Sequence, residues 1–256
     1  MRVTLDDGWT ATVTDDPLPL APRFTAARAV DVGPYTDRAA RDRFLSATFG
    51  SGHFLWDTPD ILRFDQETRR LVGFEFQLPY TSSYAETADR LPPLPPLRPG
   101  GLRADEVRDG RLEMCPVLCR APGDAALICL RDADVLDAPP DARIGIAPDV
   151  SLLLRGGAVV GWTLTDPARH LTPDLDPAAP AEPAGSTRAL LTESLDLVTG
   201  PLLDAVVDGD PAALARLRTL DEALRADRDD PARAAALLAL VGDLAEDHGD
   251  WRGEDG

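Results

Sequence analysis

Leu71-Val72-Gly73-Phe74-Glu75-Phe76 and Val159-Val160-Gly161-Trp162-Thr163-Leu164 are two versions of one short pattern. In the first, Val72, Phe74 and Phe76 alternate with Gly73, Glu75 and Gln77, the period of a strand with one buried face. In the second, Val160, Trp162 and Leu164 alternate with Gly161 and Thr163. Each is preceded by a Pro-Asp lead and a second apolar run, Pro59-Asp60-Ile61-Leu62-Arg63-Phe64 and Pro148-Asp149-Val150-Ser151-Leu152-Leu153-Leu154. Gly156-Gly157 suits a two-residue hairpin turn with positive φ, whereas the first version has a longer polar loop over 65–70. Each unit therefore reads as a β-hairpin, with Pro59-Asp60 aligned on Pro148-Asp149 and Gly73 on Gly161. A glycine inside a strand marks a bulge or a close backbone approach.

Working outward, the expected fold class is α+β: two related antiparallel β-sheet halves carrying a duplicated hairpin motif, plus a C-terminal helical tail. The proline-rich run 91–101 reads as a polyproline-like spacer, because proline lacks an N–H and blocks helix. It separates a β-rich half with one helix (1–90) from a second β-rich half (102–172). A second proline-rich link (173–185) leads to the helical tail (186–256).

Smaller elements follow from local signals. Val3 to Thr14 reads as a hairpin turning at Asp7-Gly8, and Phe24–Val32 as a strand. Thr36 is placed to cap a helix running to about Phe49, with Ala39, Phe44, Leu45 and Ala47 as its apolar face. Strands are expected over Arg111–Cys119, Ala125–Arg131 and Ile144–Ile146. In the tail, a helix from Ser186 to about Val207 is weakened at Gly200-Pro201. Asp210-Pro211 and Asp230-Pro231 each combine a capping residue with proline at the first helical position. Ala235, Leu237, Leu238, Val241 and Leu244 form an apolar stripe on the last helix. The second hairpin is apolar on both faces and must be covered on both, so the tail is expected to pack on the second half.

Composition narrows the function classes. The net charge of −18 over 256 residues argues against binding a nucleic-acid backbone, where Lys and Arg supply the affinity. It suits a basic partner protein or plain solubility. All 26 Lys+Arg residues are arginine; the bias of a GC-rich genome accounts for this. No apolar run is long enough to span a bilayer, and the first residues lack a signal-peptide core, so a cytoplasmic location is expected. Cys115, Cys119 and Cys129 lack zinc-site spacing and read as small buried hydrophobes, with Cys115 and Cys119 on one strand face. No metal or other cofactor is implied.

Residues 122–171 resemble a small uncharacterised bacterial domain family. The matching residues are Asp124-Ala125-Ala126-Leu127-Ile128, Ala147-Pro148-Asp149-Val150 and Gly157-Ala158-Val159-Val160-Gly161-Trp162. The family's leading tyrosine is missing and Thr163 stands in place of its closing glutamate, which Glu75 retains in the first hairpin. The resemblance implies a hairpin fold and proximity to predicted toxin–antitoxin or immunity pairs, and it names no chemistry.

No nucleophile elbow, phosphate-binding glycine loop or metal motif occurs, and no catalytic residue is assignable. Ser51 stands two residues from His53 in a glycine-flanked turn, a spacing that rarely gives nucleophile–base geometry. The expected binding residues are His53 and Trp56, in the mixed polar and aromatic run 52–57, together with Glu75 and Tyr80. The reading is a non-enzymatic, immunity- or antitoxin-like protein whose acidic surface meets a basic partner. The alternative is an enzyme or small-molecule binder with its site at the seam between the two β halves.

Overall fold

The computed structural model describes residues 1–6, 8–52, 59–79 and 90–248. In chain order its elements are β1 (Arg2–Asp6), β2 (Trp9–Thr14), β3 (Arg23–Thr25), β4 (Ala29–Val32), α1 (Arg38–Ala47), β5 (Thr48–Gly50), β6 (Ile61–Asp65) and β7 (Leu71–Gln77). Then come β8 (Leu97–Pro99), β9 (Gly101–Ala104), β10 (Val117–Arg120), β11 (Ala126–Leu130), α2 (Asp134–Asp137), β12 (Ala142–Ala147), β13 (Val150–Arg155), β14 (Ala158–Thr165) and β15 (Leu171–Thr172). The tail comprises α3 (Gly185–Val198), α4 (Leu202–Val207), α5 (Pro211–Ala226), α6 (Pro231–Leu240) and α7 (Gly242–His248).

The fold is α+β: two β-sheets followed by C-terminal helices. Both sheets are mixed rather than purely antiparallel, because β1 pairs with β14, β8 with β12 and β3 with β15 in parallel. The first sheet runs β15-β3-β4-β7-β6-β5; in the second, the order β10-β11-β14-β13-β12-β8 can be traced, with β1, β2 and β9 attached beside β14. Within these, β3-β4-α1-β5-β6-β7 and β10-β11-α2-β12-β13-β14 have the same connectivity and the same antiparallel neighbours.

Register refines the hairpin comparison. Leu62 pairs with Phe74 and Leu152 with Trp162, so Asp60 and Asp149 are offset by one position rather than equivalent. Each hairpin carries a register shift just before its glycine, between Arg63 and Phe64 and between Leu153 and Leu154. The extra residues are Val72 and Val160. A bulge reverses side-chain alternation, so Val160 joins the cluster with Leu153, while Trp162 and Leu164 share the main core with Val150, Leu152 and Leu154. The simple alternation expected for Val160, Trp162 and Leu164 fails for that reason. Both glycines are also close approaches. A Cβ at Gly73 would lie 2.8 Å from Val32 O, and one at Gly161 would lie 2.3 Å from Cys129 O.

Sheet membership crosses the proline-rich boundary in both directions. The β1–β2 hairpin joins the second sheet, and β15 joins the first. The run 91–101 is no free spacer: it supplies β8 and the start of β9. Proline is tolerated because β8 is an edge strand, where one side of the backbone needs no partner. Phe24–Val32 is two strands, turning at Arg28 with φ 61°. Asp37, not Thr36, caps α1 by accepting the Ala40 N–H, and α1 has no fully buried residue. Cys115 precedes β10 and faces the main core, whereas Cys119 faces the α2 side, so the two do not share a face.

The tail packs on the 3-10 turns at Pro122–Asp124 and Pro167–His170 and on β15. Arg120 joins it to the sheet, pairing with Asp124 at 2.6 Å and with Asp196 of α3 at 2.5 Å. The first tail helix breaks at Gly200-Pro201, and the last breaks at Val241. The expected stripe there shifts to Ala234, Ala236, Leu237, Leu240 and Val241. Asp210 caps α5 through Ala212 and Ala213, whereas Asp230 binds Thr187 and Arg233 instead of capping α6.

Candidate functional site

The shared connectivity allows the two sheets to be compared layer by layer. Facing α2, the row Cys119–Ile128–Thr163–Ser151 runs across β10, β11, β14 and β13. Cys119 and Ile128 pack there with Val135 and Leu136 in an apolar cluster, and Arg143 Nε donates to Ser151 Oγ at 2.7 Å. The corresponding row beneath α1 is Arg23–Asp31–Glu75–Ile61. Two apolar positions in one sheet are thus a buried ion pair in the other. Buried charges are costly unless paired, so this substitution marks the first sheet's α1 side.

Asp31 and Glu75 sit directly opposite one another on β4 and β7. Like charges so placed repel, and each is compensated separately. Arg23 Nη2 lies 2.5 Å from Asp31 Oδ2, and the Tyr35 hydroxyl donates to Asp31 Oδ1. Arg41 Nη2 donates to Glu75 Oε2 at 2.5 Å, and Gln77 Nε2 donates to Oε1 at 2.8 Å. Burial raises the Asp31 pKa above the ordinary carboxylate value, with Arg23 and Tyr35 opposing. Burial and the Asp31 charge raise that of Tyr35. For Arg41 the Glu75 partner outweighs the cost of burial and raises its pKa.

Local structure positions α1 over this row. Arg63 from β6 reaches the helix end, with its guanidinium donating to the carbonyls of Leu45, Thr48 and Ser51. Phe44 fits against the missing side chain of Gly73 and contacts Tyr35, ring centroids 5.2 Å apart. A cleft of about 510 Å³ remains between the sheet, the Thr25–Ala27 turn, the first turns of α1 and the strap Pro173–Leu175. The strap is tied by Arg23 Nη1, which donates to Leu175 O at 2.8 Å.

Comparison with known proteins adds no guide. The chain matches no known protein family, no curated protein and no solved structure. The site rests on its own geometry.

Of the residues expected to bind, Glu75 lines this cleft; His53, Trp56 and Tyr80 lie outside the described residues. The seam between the sheets is filled by apolar side chains, with Phe76 stacked on Trp162, so the cleft does not lie there. Arg23, Asp31, Tyr35 and Arg41 were missed. The available signal was Asp31 itself, a carboxylate inside the four-residue strand Ala-Val-Asp-Val with every position buried.

Two other buried polar groups belong to structure. Asp60 Oδ1 accepts the Gln77 N–H at 2.8 Å. Burial pushes its pKa to about 7 against the opposing effects of Gln77, Arg131 and Cys115. His170, mostly buried 3.2 Å from Asp149, has its pKa lowered by burial against the pull of that carboxylate. The three cysteines are buried free thiols whose pKa values burial raises, the opposite of what a nucleophile needs. Ser51 donates to Asp60 O and accepts the Leu62 N–H, so its hydroxyl is committed to the backbone.

Proposed function

We propose that the protein is a non-enzymatic binding protein that takes a small polar ligand in the cleft between α1 and β3–β4–β7. The observation carrying this reading is the charged row Arg23–Asp31–Glu75 where the other sheet has Cys119–Ile128–Thr163. The volume falls within the usual range for small-molecule pockets, roughly 300–1,000 Å³. A carboxylate pair already held by two arginines is suited to recognition, whereas a general base needs a proton acceptor free to act.

The test is a thermal-shift screen of charged and polar metabolites against the wild type and Ala27→Trp. Ala27 is an exposed residue of the cleft lining, so the indole obstructs the mouth without changing charge. A ligand that raises Tm in the wild type and not in the variant supports the reading; equal shifts in both would reject it.

A second reading keeps the cleft's surroundings as a docking surface for a basic partner protein, in an immunity- or antitoxin-like role. The exposed Asp42 and Asp174 at the cleft rim and the net charge of −18 favour it. Pulldown of a basic partner that Asp42→Asn with Asp174→Asn weakens, with no small molecule from the screen bound, would make this the better account.

A further inference from the structure

We infer that the run 91–98 is a docking ridge for a partner protein whose groove combines aromatic rings with a carboxylate. The ridge lies apart from the α1 cleft and shares no residue with its lining.

The sequence of this run restricts its own shape. Proline holds φ at about −65° at Pro92, Pro93, Pro95 and Pro96. Leu91, Pro92, Leu94 and Pro95 each precede a proline and are confined to extended backbone. These restrictions select polyproline II, with three residues per turn and about 3.1 Å of rise per residue. Residues 91–96 accordingly form no helix, turn or strand. The run is also anchored: Pro92 is buried, Leu94 packs against the cluster of Cys119, Ile128 and Val135, and β8 continues it into parallel pairing with β12. A partner therefore meets a segment with little conformational freedom left to lose.

The outward side has a definite chemistry. Pro93 and Pro96 stand one turn apart on the same edge, about 9 Å from each other, and both are exposed. Leu91 and Leu97 flank them at 42 % and 55 % exposure, two of the five exposed large hydrophobic residues among those described. The backbone adds acceptors, because residues 91–96 carry six carbonyls but only the two N–H groups of Leu91 and Leu94. Among the described residues no backbone N–H donates to those carbonyls. Arg98 ends the ridge with an exposed guanidinium, and its ion-pair partner Asp15 is 4.0 Å away and itself almost fully exposed. Such a pair is worth little and leaves the cation open to a better carboxylate.

Each feature calls for its complement. Aromatic rings pack flat on proline and leucine, tyrosine O–H and tryptophan N–H groups donate to the carbonyls, and a carboxylate meets Arg98. A second copy of this chain does not offer that groove, since none of its described aromatic side chains is exposed. The partner is therefore a different protein.

Calorimetric titration of the full chain with an SH3 domain selective for P-x-x-P-x-Arg ligands tests this, the matching residues being Pro93, Pro96 and Arg98. The domain is expected to bind one to one. Pro93→Ala with Pro96→Ala should weaken binding about tenfold or more, with Tm little changed. Arg228→Gln, which removes an exposed tail arginine, should leave it unaltered. If the double proline variant fails to fold, Arg98→Glu takes its place, with about tenfold weakening expected. No binding by the full chain overturns the inference, and it does so equally if a peptide of residues 90–99 binds, since the ridge is then closed by the fold. Binding that survives both the proline and the Arg98 variants, or that Arg228→Gln weakens as much, also overturns it.

Discussion

The ring of Phe76 in β7 stacks on the ring of Trp162 in β14, with centroids 5.4 Å apart and planes 21° from parallel. This contact joins the two sheets at positions that do not correspond: Phe76 follows Gly73 by three residues, whereas Trp162 follows Gly161 by one. The core is continuous through it, from Trp9 and Phe64 on one side to Leu195 and Leu217 of the tail on the other. Trp162→Ala should therefore destabilise both sheets together, by about 3–5 kcal/mol. Urea unfolding followed by tryptophan fluorescence and by far-UV circular dichroism should give coincident curves at the lower midpoint. Separate transitions would show that the sheets fold independently.

The two strand glycines are expected to respond differently to alanine. At Gly161 the new Cβ meets a backbone carbonyl at 2.3 Å and cannot be accommodated without moving β11. At Gly73 it meets Val32 O and the Phe44 ring, each at 2.8 Å; the ring can swing aside, and the carbonyl contact is longer than the one at Gly161 but still requires β4 to shift. Gly161→Ala should cost the more, about 2–4 kcal/mol. Gly73→Ala should chiefly loosen α1, seen as faster amide exchange in 38–47 with most of the global stability retained.

Asp60 sets a pH dependence whose sign can be worked out. Its folded pKa of about 7 lies above the unfolded value of 3.8, so the folded state holds the proton more tightly. This contribution to stability is fully present below about pH 4 and is lost as pH rises towards 7, at most about 4 kcal/mol by linkage. Asp60→Asn should remove that slope. Wild-type and variant denaturation midpoints measured from pH 4 to pH 8 should converge at the acid end and separate in favour of the variant near neutrality. Parallel curves would place Asp60 in a more solvated setting.

His170 acts with the opposite sign. Burial lowers its folded pKa below 6.5, so stability is retained at neutral pH and lost as pH falls from about 6.5 through the folded value. His170→Gln should flatten the acid limb of the wild-type curve. Unchanged acid sensitivity in that variant would assign the loss to other groups.

Arg63 holds the end of α1 by donating to Leu45 O in its last turn and to Thr48 O at its C-cap, and it also donates to Ser51 O beyond β5. Arg63→Met keeps the stem and removes every donor that reaches those carbonyls, at a cost of about 1–3 kcal/mol. The helix should fray at its C-terminal end, and the helical signal near 222 nm should fall slightly. An unaltered exchange rate over 44–48 would contradict the capping role.

Much of the architecture was legible from local chemistry. Gly156-Gly157 takes positive φ at both positions, 57° and 80°, and closes the expected two-residue hairpin. Asp210-Pro211 starts a helix because the carboxylate and the fixed proline φ act within one turn. Both hairpins follow from alternation that a dozen residues are enough to display. Such signals depend on neighbours in sequence, and they determined three hairpin pairs, the helical nature of the tail and the α+β class.

What only tertiary structure decided is which sheet each strand joins, which side Val160 faces and where charge is buried. Parallel pairing of β15 with β3 joins residues almost 150 positions apart, and no local pattern records such a pairing. A bulge of one residue inverts a face without altering composition. The Arg23–Asp31–Glu75 row depends on three strands meeting in one register, so the pairing of its charges exists only once the sheet forms and α1 closes over them.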